Sequence, residues 1–228
     1  MKKILCSLLA ILMLASLCGC ASGGDSSNIR GEIVGGNAAP VETAPPATEP
    51  AFSFGKTAAN TYKNDFLGIS CTLPEEWTFY TDQQILEMNS LTGEFLDEET
   101  AKLVEDAAII YDMMAVKQED GSTISVNLEK LSAVQLLALD IQASLEAQID
   151  TIISTYENMG YTDVQVVSEK ITVDGKEYDN LTITAKIMDL DFYAHCFAFR
   201  KGSYLANVTV CSMLEDSTAT YLSYLSIH

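Results

Sequence analysis

From residue 67 apolar and polar positions alternate. Leu67, Ile69, Cys71 and Leu73 fall on one side of an extended chain, which predicts a strand ended by Pro74. Thr81-Asp82-Gln83-Gln84 has the spacing of a capping box, flanked by Tyr80 and Ile85 as a hydrophobic staple. It predicts a short helix to about Leu91, broken at Gly93. Asp97 then reads as the N-cap of a second helix, with Glu98 and Glu99 favourable in its first turn. Strands are expected over 109–118 and 122–130, turning at Asp120-Gly121 in a type I′ geometry.

A second capping box, Ser132-Ala133-Val134-Gln135, is stapled by Leu131 and Leu136. Behind it Val134, Leu137, Ile141, Leu145, Ile149, Ile152, Tyr156 and Met159 recur at three- and four-residue steps. That stripe predicts one long amphipathic helix, stopped by Gly160 as a left-handed C′ residue. Four strands follow, near 163–173, 176–187, 191–200 and 203–211, turning at Asp174-Gly175 and Lys201-Gly202. The connections are too short for parallel crossovers, so the strands form an antiparallel meander. Ser212 and Glu215 are expected to cap a last helix with Tyr221, Leu222, Tyr224 and Leu225 on its apolar side. The predicted class is α+β: one domain over 61–228, a mostly antiparallel sheet of about six to seven strands covered by helices.

The amino-terminal segment follows a different pattern. Lys2 and Lys3 precede an almost wholly apolar run from Ile4 to Leu17. A bilayer span needs about 20 such residues, so this run suits the h-region of an export signal. It ends in Leu17-Cys18-Gly19-Cys20, which resembles the bacterial lipobox. That resemblance implies cleavage of residues 1–19 and a diacylglyceryl thioether on Cys20, whose thiolate is the strong nucleophile such chemistry needs. Two acyl chains then anchor the protein stably to the extracytoplasmic side of the cell membrane. Residues 20–60 hold Pro40, Pro45, Pro46 and Pro50, four of the five prolines, with many Gly, Ala, Ser and Thr. Such a segment buries too little surface to offset its ordering entropy and reads as a stalk. As a coil of about 40 residues, 21–60 would span about 35 Å.

Composition narrows the function. Asp and Glu number 32 against 13 Lys and Arg, a formal net charge of −19. Phosphate backbones repel such a chain, which excludes nucleic-acid partners. With Cys20 acylated and residues 1–19 removed, the thiols of Cys71, Cys196 and Cys211 remain. Their odd number argues against a disulfide scaffold.

Gly68-Ile69-Ser70-Cys71-Thr72-Leu73-Pro74-Glu75-Glu76-Trp77 resembles the opening strand of PsbP/Mog1-like domains, and the order of elements after it fits the same pattern. The resemblance covers nearly all of 62–228. It implies a binding scaffold, as in accessory proteins of a photosystem or of a small GTPase, and is nearest to stalked lipoproteins of Gram-positive-type bacteria whose role is unknown. It carries over no metal or GTPase-binding residue.

Candidate chemistry is sparse. His195 and Cys196 are adjacent, but neighbours in a strand point to opposite faces. With the turn at Lys201-Gly202, Cys196 would lie opposite Asn207 and Cys211 opposite Phe192. The two thiols would then sit about 13 Å apart, too far to bond. Glu94, Asp97, Glu98, Glu99, Glu105 and Asp106 offer oxygens that calcium would use, without the spacing of a calcium loop. Asp189 and Asp191 flank a turn. Gly24-Asp25-Ser26 resembles an esterase block but lies in the stalk, with no strand to position its serine. Gly35-Gly36 lacks the helix and lysine of a phosphate loop, so no cofactor is expected. Trp77, Phe79 and Tyr80 read as a plug at the sheet end. The expected function is a membrane-anchored, non-catalytic binding or accessory domain for an envelope or secreted partner. The alternative is an envelope hydrolase using carboxylates or a metal.

Overall fold

Two antiparallel sheets share the strands. The computed structural model describes residues 52–89 and 109–228. In chain order the elements are β1 (Lys56–Ala58), β2 (Thr61–Asn64), β3 (Ile69–Thr72), β4 (Trp77–Phe79), α1 (Asp82–Met88), β5 (Ile109–Lys117) and β6 (Thr123–Lys130). Three short helices follow, α2 (Ala133–Ala138), α3 (Ile141–Glu146) and α4 (Ile149–Asn158). The chain ends with β7 (Tyr161–Val173), β8 (Lys176–Ile187), β9 (Leu190–Lys201), β10 (Tyr204–Met213), α5 (Thr218–Leu222) and β11 (Leu225–Ile227). The large sheet has the order β4-β5-β6-β10-β9-β8-β7 and the small one β1-β2-β3-β11.

The class is α+β, as the pattern predicts, but the opening strand lies outside the main sheet. β3 pairs with β2 and with the carboxy-terminal β11. A three-residue strand gives too short a run for alternation to mark, so β1, β4 and β11 carry no periodic signal. The main core lies between the two sheets and includes Tyr62, Ile69, Ile110, Met113, Ile124, Val126, Val208 and Val210. A second core lies under α3 and α4, where Leu145, Ile152 and Tyr156 pack on Leu181, Ile183, Phe192 and Cys196.

The folded part also begins earlier than residue 61. Phe54 is buried, and Phe52 packs edge-on against it and against Phe66. The anchor of this strap is Asp112, the extra residue at a bulge in β5. Its carboxyl accepts from Gly55 N at 2.8 Å, from Asn64 Nδ2 at 2.8 Å and from the Tyr62 hydroxyl. Gly55 is needed there: a Cβ would lie 2.2 Å from the Tyr62 ring. Trp77 is buried against Tyr221, with ring centroids 4.9 Å apart, and Phe79 and Tyr80 pack on the same core.

Both capping boxes form. The long helix does not: it divides into α2, α3 and α4. Leu139 is extended (φ −66, ψ 112), and Asp140 Oδ1 accepts from Ala143 N at 3.0 Å, starting a new helix. A mid-stripe Asp caps more readily than it continues, because its short side chain competes for backbone N–H groups. Consequently Val134 and Leu137 are 76% and 91% exposed, while Leu145, Ile152 and Tyr156 are buried. Gly160 is left-handed at φ +89, as expected.

Three turns differ in detail. Asp174 and Gly175 are both left-handed, which suits a type I′ hairpin. At 120–121 only Gly121 is, so that turn is not type I′; instead Asp120 Oδ1 accepts from Ser122 N at 2.8 Å. The β9–β10 hairpin turns through Gly202-Ser203, since Lys201 pairs with Tyr204. This shifts the register by two residues, placing Cys196 opposite Thr209 and Cys211 opposite Ala194. Cys196 and Cys211 are thus diagonal neighbours, with Cα atoms about 7–8 Å apart at this spacing, instead of residues separated by about 13 Å along the strand. Ser212 does not cap the last helix. It stays in β10, donates to Glu215 O at 2.7 Å and accepts from Ser217 N at 3.1 Å, and the helix starts at Thr218. Leu225 belongs to β11.

Candidate functional site

The face of β7–β9 opposite α3 and α4 is covered by the small sheet only at one end, where Ile171, Val173, Tyr178 and Phe197 join the main core. The other end is open. There a groove of about 450 Å³ is lined by Asp163, Gln165, Thr184, Lys186, Asp191 and Tyr193, among others. Lys186 Nζ meets Asp191 Oδ1 at 2.7 Å, and this bond raises the lysine pKa.

The rim of this groove is made by unusual backbone. β8 and β9 connect through Met188 (φ +50) and Asp189 (φ +64), with Ile187 paired to Leu190. Such two-residue turns normally use Asn or Gly, because a Cβ in the left-handed region meets the following carbonyl. Asp163 (φ +53) lies in the bulge of β7, and Leu214 (φ +74) follows β10 and donates its N–H to Asp191 O at 2.9 Å. Each such residue costs about 1–3 kcal/mol and persists where surrounding structure holds it, often at binding sites. Met188 and Leu214 on this backbone are exposed at 76% and 52%; Leu190, 41% exposed, alternates with Asp191 and projects towards the α3–α4 side. Apolar side chains on loop tips beside a groove form a surface suited to a partner.

Behind the groove, a polar row crosses the three strands. Thr182 Oγ1 donates to Glu169 Oε1. Asn180 Nδ2 donates to Thr182 Oγ1 at 3.0 Å and to His195 Nδ1 at 3.1 Å. An amide nitrogen only donates, so Nδ1 is the acceptor and the imidazole proton sits on Nε2. Burial lowers the His195 pKa, partly offset by Asp216 and Glu169, so the ring is neutral at pH 7.

Cys196 points to the other face. Burial raises its thiol to about 11, and those of Cys71 and Cys211 to about 12. All three are buried and free. At neutral pH they are inert thiols, and the sheet separates Cys196 from His195. Asp189 lies within the turn rather than beside it, and Asp191 is held by Lys186. Cys20 and the acids from Glu94 to Asp106 lie outside the described residues. Among the described residues, no three His, Cys, Asp or Glu side chains converge to hold a metal, and no helix is long and apolar enough to cross a membrane. Sequence reasoning passed over Met188, Leu190 and Leu214. The signal was Met188-Asp189-Leu190 itself, an apolar hairpin tip without Gly or Asn.

No family model matches the chain, and no curated protein is similar to it. Solved structures are, two of them as follows. One is a Bacteroides thetaiotaomicron protein, at 8% identity and a TM-score of 0.39, covering 75% of this chain; the chain spans about half of that protein's length (48%). The other is LpqN of Mycobacterium tuberculosis, described as involved in cell envelope biogenesis, at 11% identity and a TM-score of 0.34, over 68% of this chain and 76% of LpqN. Neither likeness assigns the chain to a family.

Proposed function

We propose that this protein is an extracytoplasmic binding module, held at the membrane by lipid on Cys20 and tethered through residues 21–51, whose open groove end engages an envelope or secreted protein. The PsbP/Mog1-like opening of the domain agrees with an accessory role. The observation that carries the reading is the edge of the groove, where Met188 and Leu214 are exposed on left-handed, non-glycine backbone next to the strands that line it. A hairpin tip without function would settle on glycine or asparagine and a polar residue, at lower cost in both backbone strain and exposed apolar area.

The test is photo-crosslinking on intact cells of the native host, with the photoreactive residue at Met188 in the full chain and, as a control, at Glu157 on the exposed side of α4. The expected result is a discrete adduct with an envelope or secreted protein from position 188 and none from 157. Absence of any adduct from 188, or the same adducts from both positions, rejects the groove as the binding surface. Separately, Cys20→Ser is expected to move the protein from the membrane fraction to the soluble one. Unchanged membrane retention rejects the anchor.

A further inference from the structure

On the opposite side of the molecule, α2 and the start of α3 cover a cavity of about 150 Å³ against β6 and β10. Its walls include Leu131, Ala138, Leu139 and Leu205, with the Glu129 carboxyl and Ser144 as polar members. Glu129 is only 7% exposed, yet its Oε2 has no hydrogen-bond partner among the described residues. Asn207 projects from β10 on the same side, since Leu205 pairs with Glu129 and Asn207 with Asn127. It is 1% exposed; its Nδ2 donates to Asn127 Oδ1 at 3.3 Å, and its own Oδ1 is likewise unpartnered. Asn207 does not line the cavity, so the orphaned atom in its wall is the Glu129 oxygen, an acceptor when the carboxyl is ionised. A buried carboxyl oxygen without a donor costs about 1–3 kcal/mol or more, so a domain that keeps one needs a reason to do so.

The cover over this cavity is loosely held. α2 has six residues and buries none of them. Its outer side shows Val134 and Leu137 to solvent, and its inner contacts are the half-buried Leu136 and Leu139 on Leu131, Ala198 and Leu205. It is joined to α3 by the extended Leu139. A segment with so little buried surface opens at low cost and gives a ligand a way in.

We propose that this cavity is a binding site for a small primary amine, with the ammonium group on Glu129 and a short aliphatic part against Leu131, Ala138, Leu139 and Leu205. The chemistry selects the class. An alkylammonium offers three donors and no acceptor, which complements an unpartnered carboxyl oxygen in the cavity wall. A carboxylate or phosphate ligand would meet the Glu129 oxygen and be repelled. The volume corresponds to about five water molecules. That is well below the roughly 300–1,000 Å³ of sites for drug-sized ligands, so the aliphatic part is short. The net charge of −19 raises the local concentration of such cations.

The experiment is calorimetric titration of the full chain in detergent with propylammonium chloride, against sodium chloride at equal ionic strength and against 1-propanol. Saturable binding of propylammonium is expected, at least tenfold tighter than 1-propanol and at least tenfold weakened in Glu129→Gln. Absence of saturable binding, equal affinity for 1-propanol, or undiminished binding by Glu129→Gln overturns the proposal. Should Glu129→Gln fail to fold, the wild-type protein still decides. Its Glu129 carboxyl carbon, followed by NMR, shifts saturably on propylammonium addition with the affinity read by calorimetry if the proposal holds, and an unmoved signal overturns it. The groove of β7–β9 is not involved, so either result leaves the crosslinking test from Met188 independent.

Discussion

Asp112 and Glu129 are both acids on neighbouring strands of the large sheet, both buried, and both have pKa values raised by burial. Their surroundings differ. Asp112 faces the core between the sheets and receives three donors, from Gly55, Tyr62 and Asn64. Those bonds tie the strap at 52–55 and β2 to β5, and Asn64 Oδ1 in turn accepts from Leu67 N at 2.8 Å. Glu129 faces a cavity under a thin cover and leaves an oxygen unpaired among the described residues. A buried carboxyl with a full set of donors is part of the fold, and one without them stores a cost that a ligand can relieve.

The largest expected effect breaks the satisfied side. Asp112→Ala strands three buried donors and should lower the unfolding free energy by about 3–5 kcal/mol, read by urea titration with circular dichroism. A loss below about 1 kcal/mol would mean that the network does not hold the strap. The opposite sign is expected at the other acid. Glu129→Leu removes an unpaired buried oxygen and should be neutral to stabilising by about 1 kcal/mol. A loss of several kcal/mol would show that Glu129 is satisfied after all and would end the contrast.

The two acids also set how stability varies with pH. Each carboxyl has a folded pKa above its ordinary value, 3.8 for Asp112 and 4.5 for Glu129. Each therefore contributes stability that is fully present below that ordinary value and is lost as pH rises through the raised folded value. Unfolding free energy should accordingly fall from about pH 4.5 towards neutrality. Glu129→Gln should flatten part of that fall and Asp112→Asn another part. Superposition of the Glu129→Gln profile on the wild-type one would contradict the desolvation of Glu129. The smallest effect concerns the cover. Leu137→Ser, at a side chain 91% exposed, should change stability by no more than about 0.5 kcal/mol. A larger loss would show that α2 is packed more firmly than its contacts indicate.

Legibility followed the range of the forces involved. Both capping boxes, the Gly160 stop and the β7–β10 meander depend on residues close in sequence, and they were readable. The break at Leu139-Asp140 was not, because the apolar stripe runs across it and only competition from the Asp140 side chain interrupts the helix. For the candidate site, the sequence separated His195 from Cys196 and flagged Asp189 and Asp191. It did not reveal the rim, since exposure of Met188, Leu190 and Leu214 depends on what else covers the sheet.

The sequence alone determined the α+β class, the antiparallel pairing of the last four long strands and the opposite facing of His195 and Cys196, because alternation and short connections are local properties. Tertiary structure decided that β3 pairs with β11 across more than 150 residues, that Cys196 faces Thr209, and that among the described residues Asp112 receives three donors while a Glu129 oxygen receives none. Those outcomes depend on which distant surfaces meet. A hydrogen-bond donor arriving from Gly55 to a carboxyl at residue 112 leaves no periodic trace in the chain between them.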